Sequence, residues 1–87
     1  MNLYAKVPLA LWQDWQSRGL IDNWTADGCI RTGITMRGKS HWVVASTEVM
    51  RGLVADAEWL CDPAMGSDQR LKTACKKFIT NIEPEVK

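Results

Sequence analysis

The hydrophobic positions of this chain recur with two different spacings, one typical of strands and the other of helices. Residues 29–36 and 41–45 alternate and are rich in β-branched side chains, which indicates strands that bury one face. Residues 3–7 fit a further, shorter strand near the N-terminus. The two central strands are close enough in sequence to form a β-hairpin.

The turn between the two central strands sets the predicted register of the hairpin. Gly38-Lys39 suits a two-residue type II′ turn, because glycine at the first turn position accepts a positive φ. In this register Met36 pairs with His41, and one face of the hairpin points towards the core. The predicted inner face carries Ile30, Ile34, Met36 and Val43. The opposite face carries Arg31, Thr35 and Trp42.

Three other segments, 8–18, 47–61 and 68–82, have the spacing of amphipathic helices. The apolar face of the first consists of Leu9, Leu11, Trp12 and Trp15. That of the second consists of Val49, Met50, Leu53, Val54, Ala57, Leu60 and Cys61. That of the third consists of Leu71, Ala74, Cys75, Phe78, Ile79 and Ile82. Because one tryptophan can bury roughly 200 Å², Trp12 and Trp15 are predicted to be core residues.

The ends of these helices carry recognisable signals. Gly19 is suited to end the first predicted helix. Ser46 or Thr47 is a candidate N-cap of the second, and Ser67 of the third, because a hydroxyl can accept a bond from a terminal N–H group. Pro84 is expected to end the third predicted helix, since proline lacks the N–H that a helix interior requires.

Together these elements predict one α+β domain that spans residues 1–87. The predicted order is (β)αββαα, with residues 20–28 as a connector. The simplest architecture is a small antiparallel sheet, made of the central β-hairpin with the N-terminal strand as a candidate third member. Three helices pack on one face of this sheet.

The cysteines Cys29, Cys61 and Cys75 form neither a disulfide framework nor a metal motif. Their number is odd, and no two potential ligands, His41 included, have the close spacing of a zinc site. Thiols of this kind are typical of a reducing compartment, so we expect a cytoplasmic protein without metal or other cofactor. Residues 1–12 lack the features of a secretory signal, and no segment has the length and apolarity of a membrane span.

The sequence contains no motif for catalysis. His41 is the one histidine, and no nucleophile motif accompanies it. Gly38-Lys39-Ser40 has the composition of the end of a phosphate-binding loop, but it lies between two predicted strands instead of before a helix. We therefore expect no enzyme and assign no catalytic residue.

The formal net charge is +1, so binding to nucleic acid would depend on a local patch. Cations concentrate on the predicted hairpin and on the third predicted helix, and both kinds of element can contact phosphates. The residues of this nucleic-acid alternative are Arg31, Arg37, Lys39, Lys72, Lys76 and Lys77. We expect such binding to be weak and salt-sensitive, and solvated surface is the competing interpretation. The sequence leaves open whether the two regions meet.

Trp59 gives the clearest functional signal. It lies about 150° from the centre of the apolar stripe of the second predicted helix, and therefore on the polar face. Gly52 and Ala55 lie beside it, and Glu58 belongs to the same face. Tryptophan is enriched at the energetic centres of protein interfaces. Two interpretations stay open: a partner covers the indole, or the same chain does, for example through the loop around Trp24.

These observations favour a small binding module that acts through a protein partner or as a homodimer. In size and general composition the chain is similar to short bacteriophage or mobile-element accessory proteins. A protein of that kind would act stoichiometrically, for instance as an inhibitor of a larger host complex. Nucleic-acid binding through the basic hairpin and third helix is the alternative, and no membrane partner is expected.

Overall fold

The computed structural model describes residues 2–35 and 40–86, with side chains through residue 82 and at residue 84. Its strands form one antiparallel sheet and are β1 (Asn2–Val7), β2 (Ile30–Ile34) and β3 (His41–Ser46). Strand β3 lies between β1 and β2. The N-terminal strand is thus a full member of the sheet, paired with the central strand along its whole length.

The described helices follow the order βααββαα, which confirms the predicted α+β class. They are α1 (Leu9–Ser17), α2 (Leu20–Ala26), α3 (Thr47–Leu60) and α4 (Gln69–Val86). A single 3₁₀ turn, Pro63–Met65, precedes α4. Helices α3 and α4 make the most extensive helix–helix contact, and both also pack against β1.

One face of the sheet and the apolar stripes of the helices form a continuous core. In β1 every second residue is buried and the residues between are exposed, because successive side chains of a strand point to opposite faces. The buried residues of the sheet are Leu3, Ala5, Val7, Ile30, Val43 and Ala45. The helices contribute Leu11, Trp12, Trp15, Ile21, Met50, Leu53, Val54, Ala57, Leu60, Ala74, Cys75, Phe78 and Ile82. The stripes predicted for α3 and α4 are therefore confirmed.

The predicted hairpin register was wrong by two residues. His41 pairs with Ile34 instead of Met36, and Gly33 pairs with Trp42. A shift of two keeps every side chain on its predicted face, so the hydrophobic pattern alone could not exclude it. The indole of Trp42 lies against Gly33 so closely that a Cβ atom there would overlap it, which accounts for the observed pairing. The predicted turn residues Gly38 and Lys39, and Met36 of the predicted inner face, lie outside the described residues.

The connector predicted over residues 20–28 was also wrong, since most of it forms α2. The segment contains Asp, Asn and Thr, which are poor helix formers. Packing overrides that preference: Ile21 is buried, and the ring of Trp24 meets that of Trp15 edge to face at 5.9 Å. Gly19, at φ 75°, supplies the left-handed residue that separates α1 from α2.

The helix ends agree with the sequence in part. Ser46 caps α3 as predicted, because its hydroxyl accepts a bond from the Val49 N–H at 3.3 Å. At α4 the acceptor is the carboxylate of Asp68, 2.8 Å from the Leu71 N–H, where Ser67 had been expected. Pro84 lies inside α4 instead of ending it. Proline cannot donate the intrahelical bond to the carbonyl four residues before it, so the last turn of α4 has one backbone hydrogen bond fewer.

Two apolar residues that the sequence assigned to the core are exposed. Leu9 lies in the first turn of α1, and Ile34, 58% exposed, is the last residue of the edge strand β2. Residues at element ends have fewer neighbours than the central positions of the same face. Trp12 and Trp15, by contrast, are buried as predicted, and Trp15 has no accessible surface.

His41 makes the stability of the domain sensitive to mildly acidic pH. Its ring stacks on that of Trp12, with centroids 4.0 Å apart, and burial lowers the pKa of His41 below 6.5. The unfolded chain therefore binds a proton more readily than the folded chain, so stability should fall as pH drops through that value. We expect this decline in urea unfolding experiments to begin as the pH falls towards about 6.5, the pKa of an unperturbed histidine. His41→Phe should remove it, and an unchanged pH dependence in this variant would contradict the assignment.

Candidate functional site

Trp59 is a large apolar side chain on the outer surface of α3. Of the five tryptophans, all within the described residues, it alone is exposed, with 46% of its surface accessible. The other four are buried or half-buried. Because a solvent-exposed indole leaves much apolar area in contact with water, this position is a candidate contact surface.

The guanidinium of Arg18 holds one side of the Trp59 ring. Its Cζ atom lies 5.5 Å from the ring centroid, within the range of a cation–π interaction. Arg18 is fixed in turn by two carboxylates, Asp14 at 2.6 Å and Asp56 at 2.8 Å. The hydrogen bond to Asp56 is the main reason why the pKa of Arg18 is raised above its usual value. The indole is therefore held by a charged group that is itself fixed in place.

Asp56 connects this surface to the core. Its Oδ2 atom accepts a hydrogen bond of 2.6 Å from the indole N–H of Trp15, and the same carboxylate binds Arg18. The spacing of Asp14 and Arg18 predicts their ion pair on α1, which is observed, but the sequence did not place Arg18 or Asp56 beside Trp59. A signal was present, because a buried tryptophan needs an acceptor for its N–H group. The sequence could not show which carboxylate provides it.

The other residues predicted beside Trp59 are also at the surface. Gly52, Ala55 and Glu58 are all exposed, and a side chain added at Gly52 would meet open space. They form a low, flat area next to the indole. The Trp59 surface, as named below, consists of Trp59, Arg18, Gly52, Ala55 and Glu58.

The part of this chain that contacts Trp59 is Arg18 of α1, whereas Trp24 packs elsewhere. The Trp24 ring packs on the buried Trp15, whereas Arg18 of α1 contacts Trp59. With Arg18 in place, the indole still keeps almost half of its surface accessible. The chain therefore covers Trp59 in part and leaves room for another molecule.

The residues of the nucleic-acid alternative are only partly brought together. Arg37 and Lys39 lie outside the described residues. Arg31 is exposed on β2, whereas Lys72, Lys76 and Lys77 belong to α4, with Lys72 half-buried. Lys77 lies at a cleft of about 100 Å³ that is lined by residues of β1 and α4 and by Ser40, the residue before β3. The lining residues are Lys6, Val7, Pro8, Ser40, Lys77 and Asn81.

The described residues contain no cluster of three or more histidine, cysteine or acidic side chains placed to hold a metal ion. The thiol of Cys75 is buried, and burial raises its pKa to about 12, so it stays protonated at neutral pH. Cys61 is half-buried, and Cys29 is exposed. Within the same residues, no helix is long and apolar enough to cross a membrane.

Comparisons with protein-family models, with curated proteins and with solved structures found no match to this chain. Its function therefore has to be inferred from the geometry of its own side chains. Among the residues that the structure describes, the exposed aromatic side chains are Trp59 on α3 and Tyr4 on the outer face of the sheet.

Proposed function

We propose that this chain is a non-enzymatic binding module that contacts a protein partner through the Trp59 surface. The observation that supports this most is the exposed indole of Trp59, held against the guanidinium of Arg18. Tryptophan and arginine are the residue types most enriched at the energetic centres of interfaces. The flat area at Gly52 and Ala55 gives a partner close access to one side of the ring.

The fixed geometry of Arg18 favours tight binding. Two carboxylates, Asp14 and Asp56, hold the guanidinium before any partner arrives. Ordering a long side chain during association costs roughly 0.5–1.5 kcal/mol. Because Arg18 is already ordered in the folded protein, a partner that binds here does not have to supply this free energy. Asp56 is itself hydrogen-bonded to the buried Trp15, so Arg18 and Asp56 are connected to the core.

The charges around Trp59 indicate the chemistry of the partner. Helix α3 and the turn after it carry four carboxylates, Glu48, Asp56, Glu58 and Asp62, and one arginine, Arg51. Arg18 of α1 adds a second cation beside the ring, so the carboxylates still outnumber the cations. A symmetric contact between two copies would place this acidic surface against itself, which is unfavourable. We therefore favour a different protein, with a pocket for the indole and lysine or arginine side chains around it. Occupying such a surface is how a stoichiometric inhibitor of a larger complex would act.

The substitution that tests this function is Trp59→Ala. Removing a ring at the centre of an interface should weaken association by about 2 kcal/mol, or roughly 30-fold. The melting temperature should change little, because the ring is not part of the core. Tyr4→Ala is the matched control, since Tyr4 is an exposed aromatic residue on another element.

The experiment has two stages. The immobilised wild type and both variants are incubated with lysate of the native host, and the retained proteins are quantified by mass spectrometry. A protein retained by the wild type and by Tyr4→Ala, and lost with Trp59→Ala, is then purified and titrated calorimetrically. A 30-fold loss of affinity in the titration supports the proposal. Equal affinity for Trp59→Ala, or a dimer of this chain that needs Trp59, contradicts it.

A further inference from the structure

The outer face of the sheet carries an aromatic pair that sequence analysis did not identify. Tyr4 and Trp42 lie side by side on this face, with ring centroids 6.0 Å apart and planes inclined by 31°. Tyr4 is 54% exposed, and Trp42 is half-buried. The strict alternation of residues 2–7 was the available signal, since it places Tyr4 opposite the buried residues of β1.

The indole of Trp42 lies close against strand β2. Gly33, its partner on β2, has no side chain, and a Cβ atom at that position would overlap three atoms of the ring. The missing side chain of Gly33 thus provides the space that the indole occupies on the outer face of the sheet.

The charges on this face are of one sign. Lys6 pairs with Trp42 across the two strands, and Arg31 pairs with Val44. The outward positions of the three strands are Asn2, Tyr4, Lys6, Arg31, Gly33, Trp42, Val44 and Ser46. They include two cations and no carboxylate, so the face is complementary to an anion.

Both ends of the face lead into clefts that can hold polar groups. At one end a cleft of about 260 Å³ includes Asn2, Arg31 and Ser46 among its lining residues. At the other end lies the cleft of about 100 Å³, whose lining includes both Lys6 and Lys77. Cations are therefore placed beyond the aromatic pair on both sides.

We propose that this outer sheet face binds single-stranded nucleic acid. Unpaired bases would stack on Tyr4 and Trp42, and the phosphates would be neutralised by Lys6, Arg31 and Lys77. Stacking platforms flanked by cations are the usual solution for single strands, because every base has a flat face and every linkage has a charge. A duplex hides its base faces and could use the cations only. This site differs from the basic-hairpin alternative, with which it shares Arg31 and Lys77.

The expected affinity is modest. Three cations neutralise few phosphates, so we expect dissociation constants in the micromolar range at low salt. For single strands, each neutralised phosphate contributes about 0.7 to the slope of log K against log salt. Removing one ring should weaken binding about 5- to 150-fold, which corresponds to the stacking energy measured for one base.

The test is fluorescence anisotropy with a labelled single-stranded oligo(dT) and a matched duplex. The ring variants are Tyr4→Ala and Gly33→Ala; the added methyl group of the second should displace the Trp42 indole from the sheet. The charge variant combines Lys6→Gln with Arg31→Gln. Trp59→Ala, on the other surface, and Arg70→Gln, on the first turn of α4, are the controls. Circular dichroism verifies that each variant remains folded.

The proposal predicts micromolar binding of the single strand and much weaker binding of the duplex. Both ring variants should weaken binding at least fivefold, and the charge variant should lower the salt slope by about 1.4. Both controls should bind as the wild type does. Three results would overturn the proposal: no binding at low salt, equal affinity for the duplex, or ring variants with unchanged affinity. None of these results bears on the Trp59 surface, which is tested separately.

Discussion

Replacing Trp15 with alanine should remove most of the free energy of unfolding of this domain. The side chain is fully buried, and its ring meets those of Trp24 and Phe78 edge to face. Removing a buried tryptophan costs about 3–5 kcal/mol, from lost transfer energy and from the cavity that remains. A domain of this size has a total stability near the lower end of the usual 5–15 kcal/mol. Urea unfolding followed by circular dichroism measures the loss.

Trp59→Ala provides the matched control for this prediction. The same atoms are removed, but from a ring whose main described neighbour is Arg18, so the unfolding midpoint should change little. Trp12→Ala should resemble Trp15→Ala, because Trp12 is buried against His41. If Trp15→Ala unfolded at the same urea concentration as the wild type, the described core would be wrong.

The second large effect is expected for Asp56→Ala. This change leaves the indole N–H of Trp15 without its acceptor and removes one of the two carboxylates that hold Arg18. A buried donor without a partner costs about 1–3 kcal/mol, and the partly exposed ion pair adds at most about 1 kcal/mol. We therefore expect a loss of about 2–3 kcal/mol in the free energy of unfolding.

Asp56→Asn separates the two roles of this residue. The amide oxygen can still accept the bond from Trp15, whereas the negative charge that attracts Arg18 is lost. Stability should fall much less than in Asp56→Ala, while association through the Trp59 surface should weaken. If Asp56→Ala were as stable as the wild type, the hydrogen bond to Trp15 would not support the core.

The elements of the fold were largely predictable, because burial follows periodicity. The stripes of α3 and α4 and the strand positions came directly from the spacing of apolar residues. Helix α2 was not predictable in this way, since its seven residues are held by the packing of Ile21 and Trp24. Similarly, the hairpin register depends on the close approach of Trp42 to Gly33, and the spacing of apolar residues does not reveal this contact.

The candidate sites were predictable in part, for a related reason. The angle of Trp59 on its helix depends on local geometry, and the sequence alone gives it. The placement of Arg18 and Asp56 beside it depends on how α1 packs against α3, which involves residues far apart in the chain. The pairing of Tyr4 with Trp42 likewise requires β1 to be next to β3.

The Trp59 surface can be tested most directly by photo-crosslinking in the native host. A photoreactive phenylalanine analogue is placed at Glu58, which is exposed beside Trp59 and already has a long side chain, and at Gln13 on α1 as the control. We predict an adduct between the Glu58 position and a different protein, absent for the Gln13 position and lost when Trp59→Ala is added. No adduct at the Glu58 position, or an adduct only with a second copy of this chain, would contradict the account.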